Sequence, residues 1–125
     1  MAARMTPLEI FIPGKPMGKG RPRFNRKTGS VYTDSKTVSK EREIAQLAQI
    51  AMIGRKPFLG AMVMKIDLYM KGERTSKIDG DNAAKLVMDA LNGVVYGDDK
   101  QVVDLRVIKH GKSATEQTRV EVETL

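Results

Sequence analysis

Cysteine is absent from this chain of 125 residues, and histidine occurs once. Without cysteine the protein has no disulfide, no thiolate nucleophile and no cysteine-based zinc site. The single histidine, His110, cannot build a multi-histidine metal site. The chain also lacks a run of about 18 apolar residues, so no transmembrane helix is expected. Its N-terminal segment has no long apolar stretch of the signal-peptide type. These absences favour a soluble, cytoplasmic protein without a membrane partner.

Negative charge is scarce relative to positive charge. The 22 Lys and Arg residues outnumber the 15 Asp and Glu residues, which gives a formal net charge of +7. A sequence pI of about 9.8 is compatible with a nucleic-acid partner, although basic proteins that never bind nucleic acid are common. The length favours one compact domain, spanning residues 1–125, with a modest core that oligomerisation would enlarge.

The apolar spacing predicts several strands. Segments that alternate apolar and polar residues, or that are rich in β-branched residues, are typical of strands. The dense Gly and Pro of residues 13–22 predict a loop instead. The predicted strands cover residues 6–12, 61–70, 101–110 and 118–123. Residues 23–25 and 31–33 are predicted to pair as a hairpin. Since strands and helices are mixed without strict alternation, we expect an α+β fold in which a small mixed sheet packs against two helices.

Two segments have helical spacing. In residues 36–53, apolar side chains recur at helical intervals, and Asp34 or Ser35 would cap the start. Residues 81–92 would form a second helix, ended by Gly93. Apolar side chains cover most of the circumference of this second helix. It is therefore expected either in the core or at a subunit contact.

Acidic residues surround the second helix. Asp79 and Asp81 are two positions apart, which places both carboxylates on one side of an extended segment. Gly80 permits a sharp turn into the helix, and Asp81 occupies the position expected for the N-cap. The polar residues of the helix then form one stripe: Asp81, Lys85, Asp89 and Asn92. Asp98 and Asp99 follow the helix and would return to the same end.

This pattern suits divalent-metal chemistry. Mg²⁺ prefers carboxylate oxygens and keeps several waters, so two or three carboxylates would hold it against a phosphodiester. Lys85 would balance the charge that develops on the phosphate. The same residues also have structural explanations, because Asp81 would cap a helix and Asp98-Asp99 would form a turn. Lys85 and Asp89 would make a surface pair of little energetic value. The residue pattern leaves both interpretations open.

The loop before the hairpin is basic. Six positive charges and no acidic residue lie between positions 15 and 27: Lys15, Lys19, Arg21, Arg23, Arg26 and Lys27. Interspersed glycines let backbone N–H groups approach an anion. The loop is not a Walker A motif, because only three residues separate Gly14 from Gly18. We expect it to grip the phosphate backbone without reading base sequence; the alternative is a solvated, exposed loop.

Two long stretches carry extended motifs. The first is GKGRPRFNRKTGSVYTDSKT, and the second is KIDGDNAAKLVMDALNGVVYGDDKQVVDLRVIK. The second combines D-x-D-N, a Lys three residues after the Asn, an Asp-Ala-Leu helix end and D-D-x-Q-V-V-D. Both stretches resemble the RusA family of Holliday-junction resolvases found in phages and prophages. The resemblance runs from about residue 10 to residue 125, and the second motif is long and specific.

The resemblance implies a homodimeric endodeoxyribonuclease that cuts four-way DNA junctions with Mg²⁺, for which Mn²⁺ would substitute, in DNA recombination and repair. The catalytic and metal-binding carboxylates of the family match Asp79, Asp81 and Asp99, and its catalytic lysine matches Lys85. Asp98 is a neighbour whose role stays open. Adjacent side chains of an extended chain point to opposite sides, so one of the two would face the metal.

One position departs from the family pattern. The best-known member carries a Phe in the second helix that is thought to wedge into the junction, and the matching residue here is Met88. Met88 would serve as an apolar wedge between bases or would pack in the core. Two other functions also stay open for the whole chain. One is a non-catalytic nucleic-acid-binding module, and the other is a metal nuclease that acts on flaps or forks.

Overall fold

The computed structural model of the protein describes residues 6–75 and 77–125. Residues 1–5, part of the segment in which no signal peptide is expected, lie outside this description. In chain order the elements are β1 (Leu8–Pro13), β2 (Arg23–Phe24), β3 (Val31–Tyr32), α1 (Ser35–Ala51), β4 (Met62–Tyr69), α2 (Gly80–Leu91), a short 3-10 helix (Asp99–Gln101), β5 (Val102–His110) and β6 (Gln117–Thr124). Each predicted strand and helix is confirmed, with ends displaced by one or two residues.

The main sheet is mixed. Its four strands lie in the order β1-β6-β4-β5. Strand β6 runs antiparallel to both of its neighbours, whereas β4 and β5 are parallel. A parallel pair needs a crossover connection, and here α2 provides it between β4 and β5. With two helices against this sheet, the α+β expectation is confirmed, and β4 lies in the sheet interior.

The core lies between the helices and one face of the sheet. Alternate side chains of the strands, among them Ile10, Ile66 and Val120, are almost completely buried. They form one cluster with apolar side chains of α1 and α2. Each such aliphatic side chain stabilises the fold by about 1.5–3 kcal/mol relative to an exposed one.

The other face of the sheet is polar and carries the single histidine. Asp67 is buried there, and its Oδ1 lies 2.8 Å from His110 Nε2. The Arg119 guanidinium donates to the other oxygen of Asp67 at 3.5 Å, and the rings of Tyr69 and His110 stack at 4.6 Å. These contacts place His110 on the face of the sheet that points away from both helices.

Helix α1 begins and ends where its sequence predicts. Asp34 is the N-cap, and its Oδ1 accepts a hydrogen bond from the Thr37 backbone N–H at 2.9 Å. Such a cap stabilises a helix by about 1 kcal/mol. At the other end the C-cap is Met52, and Gly54, two residues later, has a left-handed φ of +76°. Asp34 is one of the two N-cap candidates that the sequence offers.

Helix α2 begins one residue earlier than expected. The prediction that Asp81 is the N-cap is wrong: Gly80 is already helical, and Asp79 caps the helix by accepting from the Asp81 N–H at 3.0 Å. Gly93, with φ +76°, ends the helix as predicted. The apolar face of α2, including Leu86, Val87 and Leu91, is buried within its own chain. This face therefore does not by itself require a subunit contact. Across the described residues, neither helix has the length and apolar character needed to cross a bilayer.

Candidate nucleic-acid interface and acidic site

The N-terminal end of α2 presents two carboxylates. Asp79 and Asp81 are both exposed. One oxygen of Asp79 is used as the helix cap, and the carbonyl before it, on Ile78, accepts a hydrogen bond from Lys109 Nζ at 2.6 Å. Lys109 thus holds the turn that places the acidic pair. The sequence alone does not point to Lys109, since nothing local connects a lysine near the end of β5 with the start of α2.

The exposed side of α2 carries the predicted polar stripe. Asp81 and Lys85 are exposed on successive turns, and Asp89 is half-buried two turns beyond Asp81. Met88 is half-buried next to this stripe and packs against the core cluster. Its carbonyl accepts a hydrogen bond from the buried Tyr96 hydroxyl at 2.9 Å. Its side chain is therefore shared between core and surface, and its role as a wedge stays a prediction.

The two adjacent aspartates after α2 have different surroundings. Asp98 caps the short 3-10 helix, and its carboxylate accepts from the Lys100 N–H at 2.9 Å. That hydrogen bond lowers the pKa of Asp98 below its ordinary value. Asp99 is partly buried beside the Asn92 side chain at the end of α2. Burial, and then the charges of Asp98 and Asp89, raise the pKa of the Asp99 carboxyl. Asp98 thus acts as a cap, whereas Asp99 faces α2.

Within one chain these carboxylates form two separate groups. Asp79 and Asp81 lie at the start of α2, while Asp99 lies beside its end. The helix between them has 12 residues and is about 18 Å long. Carboxylate oxygens that bind the same Mg²⁺ lie within about 4 Å of each other. In a two-metal site, the most distant ligand oxygens lie within about 8 Å of each other. No group of three acidic or histidine side chains among residues 6–75 and 77–125 forms a metal cluster. The three predicted carboxylates of a single chain are therefore too far apart to form the predicted Mg²⁺ site.

The basic loop is seated on both helices. The Lys19 N–H donates to the Asn82 carbonyl of α2 at 3.0 Å, and the Gly20 N–H donates to Thr37 Oγ1 of α1 at 3.0 Å. The close approach requires glycine, since a Cβ at Gly20 would lie 2.0 Å from an oxygen of Asp34. The loop is thereby held beside the start of α2, at the same end as Asp79.

Five of the six predicted basic residues are exposed and one is not. The exposed set consists of Lys15, Arg21, Arg23, Arg26 and Lys27. Arg23 lies in β2, and the turn that joins β2 to β3 carries Arg26 and Lys27, so the hairpin projects cations as predicted. Lys19 is different because its ammonium forms ion pairs with Asp89 and, at 3.3 Å, with Glu41.

A basic cleft adjoins the acidic pair. It has a volume of about 420 Å³ and is lined in part by Lys15, Lys71 and Lys77, together with Ile78. Ile78 immediately precedes Asp79, so the cleft opens beside the candidate acidic site. Lys71 and Lys77 were not predicted as binding residues. Their spacing has no motif character, and only the fold brings them to Lys15.

A one-signed basic loop packed on a helix is typical of a nucleic-acid-binding surface. The profile of the family described as "Endodeoxyribonuclease RusA" matches residues 13–124. The chain therefore belongs to the RusA family of endodeoxyribonucleases, as its motifs predict. It is also similar to a Bacillus subtilis (strain 168) protein described as "Uncharacterized protein YqaN". The two are 31% identical over 137 aligned positions, which cover 92% of this chain and 93% of the relative.

Proposed function

We propose that this protein is a structure-selective endonuclease that requires Mg²⁺ and resolves four-way DNA junctions by paired nicks, in recombination and repair. The observation that carries this proposal is the seating of the basic loop on α2. That contact holds the cations that would bind phosphate next to the Asp79-Asp81 pair. Membership of an endodeoxyribonuclease family supports DNA as the substrate.

The chain's own residues would divide the work between binding and charge balance. Arg21 and Arg23, with the cations of the hairpin turn, would hold the phosphate backbone and position the DNA. Lys85, one turn above Asp81, would balance the negative charge on the reacting phosphate. An all-carboxylate ligand set of Asp79, Asp81 and Asp99 favours Mg²⁺, with Mn²⁺ as a substitute.

Because these three carboxylates do not meet within one chain, we propose a homodimer in which a second copy completes the site. A two-fold axis perpendicular to α2 makes the two copies of the helix antiparallel. The start of one α2 then lies beside the end of the other. Asp79 and Asp81 of one copy would thus approach Asp99 of its partner, and the dimer would hold two equivalent sites for two nicks.

An uncovered apolar surface beside α2 supports this arrangement. In the parallel pair, Leu105 of β5 is level with the buried Met64 and so points to the helix side of the sheet. Leu105 is nevertheless 41% exposed, and Val103, which lies at the register shift between β4 and β5, is 58% exposed. An apolar surface next to α2 is where a second copy of the helix would pack.

The direct test is incubation with a synthetic four-way junction and a duplex of matched sequence, each with Mg²⁺, Mn²⁺, Ca²⁺ or EDTA. We expect junction cleavage with Mg²⁺ and Mn²⁺ and little with Ca²⁺, which prefers more ligands in looser geometry. Flap and fork substrates form additional arms of the experiment.

Each other outcome points to a different function. Full activity in EDTA would refute the metal requirement. Faster cleavage of flaps or forks than of junctions would make the protein a nuclease of those structures. Junction binding without cleavage under any metal would favour the non-catalytic binding module, to which the separation of the carboxylates within one chain already lends some support.

A further inference from the structure

Lys19 differs from the other cations of the basic loop in its surroundings. Its ammonium hydrogen bonds with the Asp89 carboxylate of α2 and lies 3.3 Å from Glu41 Oε1 of α1. The three side chains are only 25–28% exposed. Oε1 of Glu41 is buried and accepts no well-formed hydrogen bond in the described part of the chain. The nearby ammonium therefore compensates its charge.

The backbone on both sides of this side chain is attached to the same two helices. Besides the bonds from the N–H groups of Lys19 and Gly20, a Cβ added at Gly18 would lie 3.0 Å from the Asn82 Cβ. Three consecutive residues are thus in close contact with α1 and α2. The exposed Arg21 and Arg23 follow directly, so their positions depend on this attachment.

We propose that Lys19 is a positioning residue, which fastens the basic loop to α1 and α2 and does not contact DNA phosphate. To reach a phosphate, its ammonium would have to leave two carboxylates, which would then face each other without a cation. Those two acids would also repel the incoming phosphate. Arg21 and Arg23, which are exposed, carry no such restriction.

Hydrogen exchange of the free protein tests the attachment. Lys19→Met and Asp89→Asn should each speed exchange of the amides at positions 19 and 20 by about fivefold. The double variant should exceed either single variant by little, because both remove the same ion pair. Lys56→Met changes an exposed lysine beyond the end of α1 and serves as the matched control, with wild-type exchange at these amides.

DNA binding tests the consequence for the loop. Lys19→Met should weaken junction binding while leaving the slope of log affinity against log salt unchanged, because no phosphate contact is lost. Arg21→Ala should reduce that slope by about one unit. Lys19→Arg keeps the positive charge and should therefore bind the junction with wild-type affinity.

Two results would overturn the proposal. One is a drop of about one unit in the salt slope of Lys19→Met, which would show that Lys19 contacts a phosphate. The other is unchanged exchange at positions 19 and 20, or additive effects of Lys19→Met and Asp89→Asn, which would show that the pair does not hold the loop. The exchange arm uses neither DNA nor metal, so its result is separate from the success or failure of the nuclease proposal.

Discussion

Asp79 combines a structural contact with a proposed chemical role. Its side chain caps α2 through the Asp81 N–H, and its charge is part of the acidic end of the proposed site. Asparagine has the same size and caps helices about equally well. Substitution by asparagine therefore removes the charge and preserves the helix.

We predict that Asp79→Asn abolishes nicking of a four-way junction while leaving junction binding intact or tighter. Without metal, the carboxylates repel phosphate, so removing one should strengthen binding by about 1 kcal/mol at low salt. Asp81→Asn should behave in the same way, because the side chain of Asp81 is not the N-cap. A gel-shift assay in EDTA and a nicking assay in Mg²⁺ measure the two effects.

The control for these variants is Glu73→Gln, which removes one negative charge from an exposed residue that pairs with Lys112. It should cut at the wild-type rate. Circular dichroism establishes that each variant is folded. Wild-type cleavage by a folded Asp79→Asn protein would mean that the acids are structural, and the binding-module function would then replace the nuclease.

The loop and the start of α1 form one unit at the level of elements. Gly20 fits against the Asp34-Thr37 cap so closely that a Cβ would lie 2.0 Å from Asp34 Oδ2 and 2.9 Å from Thr37 Oγ1. Asp34 can move away only by giving up its hydrogen bonds to Thr37, at 2.9 Å each. A change in the loop is therefore transmitted to the helix.

We predict that Gly20→Ala lowers the free energy of unfolding by about 1 kcal/mol, the value of a helix N-cap. Asp34→Ala should have a similar effect, and the double variant should be less destabilised than the sum. Urea titration measures all three proteins. Gly72→Ala is the matched control, because a Cβ there meets nothing within 4 Å. Equal losses for Gly72→Ala and Gly20→Ala would refute the close fit.

For the exposed cations of the loop and hairpin, we predict that Arg21→Ala and Arg23→Ala weaken DNA binding equally for all sequences. Each should lower the slope of log affinity against log salt by about one unit, since a backbone contact releases counterions without reading bases. Titrations of two junctions with unrelated arms at several salt concentrations measure this. Unchanged binding in both variants would mean that the loop is only solvated.

At the scale of the whole molecule, the proposed site needs two copies of the chain. Within one chain, the length of α2 separates Asp79 and Asp81 from Asp99 by about 18 Å. This arrangement makes complementation possible. In a mixed dimer of Asp79→Asn and Asp99→Asn chains, one site contains both substitutions and the other contains neither. A site built within one chain would carry a substitution in every case.

We predict that mixing and exchanging these two inactive proteins restores nicking to about a quarter of the wild-type rate, if half of the dimers are mixed. The products should be single nicks, because each mixed dimer has one intact site. Each protein alone is the control. A mixture as inactive as its components would place the site within one chain, and a monomeric mass by sedimentation at micromolar concentration would exclude the dimer.

The sequence by itself determined the elements and the family, and it narrowed the N-cap of α1 to Asp34 or Ser35. Apolar spacing reports which face of a strand or helix is buried, and Asp34, Gly54 and Gly93 act within one turn of their own position. Such local rules need no knowledge of the fold. The D-x-D-N and D-D-x-Q-V-V-D motifs also need no knowledge of the fold, because they consist only of the order of residues along the chain.

Only the tertiary structure decided which of those residues meet. It paired Lys19 with Asp89, 70 positions away, and so distinguished one lysine of the basic loop from its exposed neighbours. It also placed Asp99 at the end of α2 opposite to Asp79, where proximity in sequence had suggested one cluster. The physical reason is that ion pairs and carboxylate clusters depend on distances between elements, and those distances follow from how helices and strands pack around a common core.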